Sequence, residues 1–261
     1  MILDGKSLSD IIANDLRTRT AGKNIKLAII LVGNNPASIK YVDAKQRRAG
    51  DVGIHCDVIR LPAETSESEI LKIIEKLNGD NTVNGIMAQL PLPGHICART
   101  ITRAIAPGKD VDGLNPASDF SPATVRGIEK LLEHYLYGVD FDLSGLCAVV
   151  VGQSELVGRP AAKMLLDHNA TVVICHSRTK DLANFTAMAD ILISATGAVN
   201  LIKPNYVKQG AVIIDVGTNG DIDPACYEKA SAYTPVPGGV GPMTIISLLE
   251  NTVNGVLPCA A

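Results

Sequence analysis

The chain has 261 residues, a net charge of −3 and very few aromatic residues, with no Trp, three Phe and six Tyr. That length suits one large or two modest domains, and the interspersed charges form neither a basic stripe for nucleic acid nor a charged tail, so small molecules are the expected partners. No run approaches about 18 uncharged apolar residues and the start, "MILDGKSLSD", has no basic segment followed by an apolar one, so neither membrane spanning nor secretion is expected.

With so few aromatics the core has to be built from Val, Ile, Leu and Ala, which suits a parallel sheet covered by helices. In chain order, "SLSDIIANDLRTRT" reads as a helix with a Ser start signal, "KLAIILVG" as a buried strand, "PASIKYVDAKQRRAG" as a helix opened by Pro and closed by Gly, and "HCDVIRLP" as a strand. The helix "SESEILKIIEKLNG" and the strand "VNGIMAQLPLP" follow, completing a β/α alternation. Residues 109–122, "KDVDGLNPASDFSP", are polar and read as loop, and "TVRGIEKLLEHYLYG" reads as a connector helix. The alternation restarts with "GLCAVVVGQSELVGRPAAKMLLDHNATVVICHSRT", "ADILISATG" and "GAVIIDVGTN". The last helix, "TIISLLENTVNGV", is apolar on one side and is expected to pack back on the first domain. The fold class is α/β with two domains.

The six cysteines, at 56, 97, 147, 175, 226 and 259, show no metal-ligand spacing. They are expected to be reduced core residues of a cytoplasmic protein, and no metal site is expected.

Between the strand "CAVVVG" and a helix lie Gly152, Ser154 and Gly158. A glycine-rich turn at a helix N-terminus lets backbone N–H groups meet a pyrophosphate. The spacing G-x-S-x-x-x-G departs from G-x-G-x-x-G, and a plain βα turn is an equal reading of it alone. About 20 residues further on, "TVVICHS" places Ser177 and Arg178 where an NAD site carries an acidic residue; a cation there suits the 2′-phosphate of NADP. An exposed loop arginine is the plain alternative.

In "YVDAK", Tyr41 and Lys45 are four apart and share a helix face. The pair is an exposed couple on most proteins, but this helix follows a parallel strand, whose carboxyl end is where open sheets bind ligands. A lysine entering such a cleft loses solvation and becomes a proton carrier near neutral pH. "GIMAQLPLPG" delivers Gln89 to the same edge, where a neutral amide can hold an amine without adding charge. "KDVDG" supplies Asp110 and Asp112, either as an ordinary Asp-Gly turn or as acceptors for the N–H groups of a heterocycle. "TPVPGGVGPMT", residues 234–244, alternates proline and glycine and so specifies a backbone that something approaches closely.

Taken together, "VGNNPASIKYVDAK", "GIMAQLPLP", "KDVDGL", "VVVGQSELVGRP", "ATVVICHSRT", "ADILISATG", "GAVIIDVGTN" and "TPVPGGVGPMT" resemble, in order and over nearly the whole chain, the bifunctional methylenetetrahydrofolate dehydrogenase/cyclohydrolase family. The resemblance implies a folate-binding catalytic domain (1–120 plus 244–261), a connector helix (121–138) and a Rossmann-like NAD(P)-binding domain (139–243), with a cleft between the domains. It implies NADP-dependent oxidation of 5,10-methylenetetrahydrofolate to the methenyl form and hydration to 10-formyltetrahydrofolate, in a cytoplasmic homodimer. By position it makes Lys45 the proton-transfer group, Gln89 its tuning partner, Tyr41 a stacking residue and Asp112 the acceptor for the pterin. Folate contacts are implied for Leu90, Pro91, Pro237, Gly238 and Gly239. Cofactor contacts are implied for Gly152, Gln153, Ser154, Val157, Gly158, Ser177, Arg178, Thr196, Gly197, Gly217 and Thr218.

The sequence departs from the family in two places. The segment after "KDVDGL" is shorter by about ten residues, a change loops tolerate, and the family's P-C-T-P-x-G stands here as Pro122, Ala123, Thr124, Val125, Arg126, Gly127. Gln153 stands where the family often has the arginine of "GRS", which leaves NAD as the alternative cofactor. A monofunctional dehydrogenase and a non-catalytic folate or nucleotide-binding module are the competing readings. Intact Tyr41, Lys45 and Gln89 argue against both.

Overall fold

The structure, a computed structural model, describes residues 1–138 and 141–257. In chain order the first elements are α1 (Gly5–Thr20), β1 (Ile25–Val32), α2 (Pro36–Asp51), β2 (Ile54–Leu61), α3 (Glu67–Gly79), β3 (Gly85–Ala88) and α4 (Ala98–Ala104). They are followed by α5 (Ala123–Leu132), β4 (Cys147–Val151), α6 (Gly158–Asp167), β5 (Thr171–Cys175), α7 (Leu182–Thr186), β6 (Ile191–Ser194), β7 (Val212–Asp215), β8 (Ala232–Tyr233) and α8 (Val240–Asn254). The chain forms two compact units, one of Asp10–Ala123 with the described part of Ile245–Ala261, the other of Met1–Ser9 with Thr124–Thr244.

The first unit is built on a three-stranded parallel sheet in the order β2-β1-β3. β1 lies in the middle and is buried along almost its whole length, as expected for a strand covered on both faces. Ala28, Ile30 and Val32 of β1 pack with Ile86 and Ala88 of β3 and with Ile70 and Ile74 of α3. A capping box opens α3: the Glu69 backbone N–H donates to Ser66 Oγ at 3.3 Å, and the Ser66 N–H donates to Glu69 Oε2 at 2.9 Å. α2 starts on Asn35, whose side chain accepts from the N–H groups of Ala37 and Ser38, with Pro36 in the first turn. Near the end of α8, Asn251 donates its amide to the backbone carbonyls of Val111 and Ser121, tying the helix to the segment between α4 and α5.

The second unit carries a five-stranded parallel sheet in the order β5-β4-β6-β7-β8. Residues 1–9, which the sequence reading placed in the first domain, group with this unit because they extend its sheet. Ile2 bridges Tyr233 in parallel, the Leu3 N–H donates to Tyr233 O at 2.8 Å, and the N-terminal ammonium reaches Ser231 O at 2.6 Å. The free edge of β8 is thereby covered, which removes an exposed row of backbone groups. Of the expected connector, residues 121–138, the stretch Ala123–Tyr137 is helical: α5 ends at Leu132 and continues as a single π-helical turn, Glu133–Tyr137. Val139 and Asp140, where the second domain was expected to begin, lie outside the described residues, as do Pro258–Ala261.

α8 begins four residues before the helix expected from Thr244, so that "VGP" forms its first turn, with Pro242 where a missing N–H costs nothing. The short α4, α7 and β8 escaped the sequence reading because a segment of two to seven residues shows too little periodicity to register.

The cysteine expectation needs correcting. The five described cysteines are free, but only Cys175 and Cys226 are buried; Cys56 and Cys147 are half-buried and Cys97 is exposed. Cys97 caps α4 at the surface, and its backbone N–H donates to Glu67 Oε2 at 2.7 Å. Cys259 lies outside the described residues.

Candidate active site

In the first unit the chain runs from β1 to β2 on one side and then crosses to β3 on the other. The carboxyl ends of β1 and β3 therefore flank the switch point where open parallel sheets bind ligands. Gln89 leaves the end of β3 with its N–H still paired to Ile30 O of β1 at 2.8 Å. Its side chain is fixed at both ends: the amide NH₂ donates to Leu90 O at 2.6 Å, and the amide oxygen accepts from Lys45 Nζ at 3.0 Å. The NH₂ contact decides which way the amide faces and turns its oxygen toward the lysine.

Lys45 lies in the third turn of α2, deeper along the helix than a position at its start, and only 3 % of it is exposed. Its ammonium group sits 3.5 Å from Met87 Sδ and 5.2 Å from the centroid of the Tyr41 ring, one turn earlier on the same face. Burial lowers the Lys45 pKa below its ordinary value, with Asp112 pulling the other way. Burial likewise raises the Tyr41 hydroxyl, and the Asp112 charge adds to it.

Asp112 is brought here by a parallel bridge between Ile86 and Asp110, which lays the "KDVDG" segment along the outer edge of β3. Its carboxyl is raised by burial, with Lys45 opposing. The structure thus joins Tyr41, Lys45, Gln89 and Asp112, four residues from three stretches of sequence. Leu90 contributes its carbonyl to the Gln89 amide, and Pro91 is exposed beside it.

Sequence reading gave no site role to two neighbours, Met87 and Cys56, and left a third, Asp110, open between a turn residue and an acceptor for a heterocycle. Met87 was hidden in an apolar run. Cys56 lies on β2, where burial pushes its thiol up to about 11 and Lys45 opposes the shift. Asp110 is 1 % exposed, accepts the Asn115 N–H on Oδ2 at 2.7 Å and leaves Oδ1 without a partner. Burial lifts its carboxyl to about 6. The signal for Asp110 was present in the text as a charged residue beside Val111, but only burial separates a buried carboxylate from a turn.

The second unit places its own candidates at its own switch point, between the carboxyl ends of β4 and β6. Gly152 has φ +119°, and a Cβ there would stand 2.5 Å from Ala195 O; a Cβ on Gly158 would stand 2.0 Å from Gly152 O. Both positions therefore require glycine. Ser154 Oγ accepts from the N–H groups of Val157 and Gly158 at 3.2 and 3.3 Å and shapes the entry to α6, while Gln153 and Ser154 face solvent. After β5, Ser177 and Arg178 are exposed, and the turn holding them is closed by the His176 N–H on Thr179 Oγ1 and the Arg178 N–H on His176 Nδ1. Thr196 and Gly197 follow β6, and Gly217 and Thr218 follow β7. A glycine cradle at a switch point, a helix N-terminus and an exposed guanidinium fit a nucleotide that carries phosphates.

Pro237, Gly238 and Gly239 also belong to the second unit. What approaches this backbone there is the protein's own N-terminal segment: Lys6 donates its N–H to Gly238 O at 2.9 Å, and a Cβ on Gly5 would stand 1.9 Å from Gly239 O. Among the described residues no group of three or more His, Cys, Asp or Glu side chains is placed to hold a metal ion. Among the described residues no helix is long and apolar enough to cross a membrane.

Residues 3–112 match the model of the tetrahydrofolate dehydrogenase/cyclohydrolase catalytic domain, and residues 122–258 that of the same family's NAD(P)-binding domain. The chain is 46 % identical over 276 residues to the bifunctional protein FolD of Campylobacter jejuni, covering 97 % of this chain and 96 % of that one. That aligned stretch is longer than the 261-residue chain, so the relative carries residues missing here. A crystal structure of the bifunctional FolD enzyme from C. jejuni has a TM-score of 0.92 at 44 % identity, with 98 % of each chain covered. The Trypanosoma brucei dehydrogenase-cyclohydrolase, solved with NADP cofactor and an inhibitor, has a TM-score of 0.90 at 30 % identity, covering 98 % of this chain and 96 % of that one.

Proposed function

The chain belongs to the tetrahydrofolate dehydrogenase/cyclohydrolase family, and from that membership we propose that it oxidises 5,10-methylenetetrahydrofolate with NADP and hydrolyses the methenyl product to 10-formyltetrahydrofolate. The observation that carries the hydrolytic half is the buried Lys45 amine, bonded to Gln89 at 3.0 Å and held below its ordinary pKa.

NADP, when bound, supplies the hydride acceptor. The residues that fit it are the Gly152–Gly158 turn, with Ser177 and Arg178 for the 2′-phosphate. Removal of hydride needs no proton carrier, but addition of water to the methenyl carbon does. Water attacks the carbon and must lose a proton, the ring nitrogen must gain one as its bond to that carbon breaks, and the remaining hydroxyl proton leaves to solvent as the formyl C=O forms. An amine with a lowered pKa takes the first proton and delivers the second. Gln89 holds that amine in place without adding charge. Asp112 accepts the pterin N–H groups, and its negative charge keeps Lys45 from losing its proton too readily. Tyr41 orients the folate by its ring face.

Folate contacts from Leu90, Pro91 and Pro237–Gly239, and cofactor contacts from Val157, Thr196, Gly197, Gly217 and Thr218, belong to the same proposal. So do the cytoplasmic location, a folate-binding first unit that includes α8, and a homodimer. The free outer edge of β5, where Ile174 is 41 % exposed, supports the dimer.

The test is the appearance of methenyl absorbance when the purified protein meets 5,10-methylenetetrahydrofolate with NADP or with NAD, followed by its decay. Formation with NADP and enzyme-accelerated decay are expected. Formation with NAD alone would overturn the cofactor assignment, and uncatalysed decay would overturn the hydrolase.

A further inference from the structure

A single buried carboxylate organises the loops at the carboxyl ends of β6 and β7. Asp221 is 1 % exposed, and its Oδ2 accepts four hydrogen bonds: from Ser194 Oγ at 3.1 Å, Thr196 N–H at 2.7 Å, Thr196 Oγ1 at 2.9 Å and Gly197 N–H at 3.2 Å. Its other oxygen lies against Gly217, where a Cβ would stand 2.1 Å from it. The one side chain therefore touches both loops.

Asp221 is itself held by a second carboxylate. Asp215, at the end of β7, accepts the N–H groups of Gly217 at 2.9 Å and Asp221 at 3.1 Å on Oδ1, and that of Ile222 at 3.1 Å on Oδ2. The far side of the segment is fixed by backbone pairing, with the Ile202 N–H on Asp221 O at 3.1 Å and the Asp223 N–H on Ile202 O at 2.9 Å. Asp215 thus sets where Asp221 begins, and Asp221 sets where Thr196 and Gly197 stand. Backbone groups that must meet a ligand gain most when their position is fixed beforehand.

We propose that Asp221 is a positioning residue for the nicotinamide nucleotide, fixing the 196–197 turn and limiting residue 217 to glycine so that both loops keep a set position against the ligand. The proposal rests on the reading of the second unit as the cofactor-binding one. It makes Asp221 matter for the dehydrogenase and not for the hydrolase, because hydrolysis consumes water and no cofactor. A carboxylate that merely held the fold together would affect both.

The experiment uses the full chain as wild type, Asp221→Ala and Asp221→Asn, with folding checked by circular dichroism. NADPH binding is followed by nucleotide fluorescence, and hydrolysis of methenyltetrahydrofolate is measured without cofactor. Asp221→Ala is expected to weaken NADPH on the order of tenfold, since the four donors lose their common acceptor. Asp221→Asn keeps one acceptor oxygen and should recover part of that loss. Hydrolysis should keep its kcat and KM within about twofold. NADPH affinity unchanged in both variants would overturn the proposal, and so would hydrolysis falling in step with cofactor binding. Failure of the wild type to bind NADPH would instead overturn the cofactor reading beneath it.

Discussion

Asp110 makes the protein's stability depend on pH in a direction opposite to that of most carboxylates. Its pKa rises from 3.8 to about 6, chiefly by burial and further by the Asp112 charge, while the Asn115 N–H works against the shift. Between these values the folded protein binds a proton that the unfolded chain does not, so the group's contribution is fully present below pH 4 and is lost as pH rises through 6. A shift of about two units at 1.4 kcal/mol each gives roughly 3 kcal/mol. The charge responsible sits at 1 % exposure with one oxygen unpartnered, where solvent screening is weak.

Asp110→Asn removes the charge and keeps an oxygen for the Asn115 N–H. Its own amide NH₂ then lacks a partner, at a cost of about 1–3 kcal/mol that is the same at every pH. The assay is urea unfolding of both proteins by circular dichroism from pH 4 to pH 8. The stability of the wild type relative to the variant should fall by about 3 kcal/mol across that range, mostly between pH 4 and 6.5. A difference that stays flat with pH would refute the reasoning, because it would mean that Asp110 titrates as an ordinary exposed carboxyl.

Lys45→Met should abolish methenyl hydrolysis and leave circular dichroism unchanged, since an apolar chain of similar length fills a buried site; retained hydrolytic turnover would remove the lysine from its role. Arg178→Ala should raise the KM for NADP more than that for NAD, and equal rises would show that the guanidinium does not meet the 2′-phosphate. Gly158→Ala places a Cβ 2.0 Å from Gly152 O and should cost about 1–3 kcal/mol or more in thermal stability while weakening NADPH binding; a variant as stable as wild type would contradict the close approach of these two backbones. Ser66→Ala removes the capping box of α3 and should cost about 1 kcal/mol in urea unfolding, with activity unchanged.

Much of the architecture follows from local chemistry. The apolar run Ile25–Val32, the Asn35–Pro36 start of α2 and the Ser66 and Glu69 pair each specify their element within a few residues, so the α/β alternation was legible from patterning alone. Gly152 and Gly158 were legible as well, because a turn that no side chain can enter leaves glycine in the sequence. Tyr41 and Lys45 were readable as one face of one helix, since four residues make about one turn.

What the tertiary structure decided is which distant residues meet and how much water remains around them. Lys45 and Gln89 are 44 residues apart and touch only because α2 lies over a sheet whose central strand is β1. The fates of Asp110, Asp215 and Asp221 were equally invisible, since an aspartate in a loop reads the same whether it faces solvent or collects four donors. The N-terminus joined the second unit for the same kind of reason: Ile2 pairs with Tyr233, a partner 231 residues away. Periodicity, capping and glycine requirements are local and are written in the chain, whereas desolvation and long-range pairing depend on surroundings that exist only once the chain has folded.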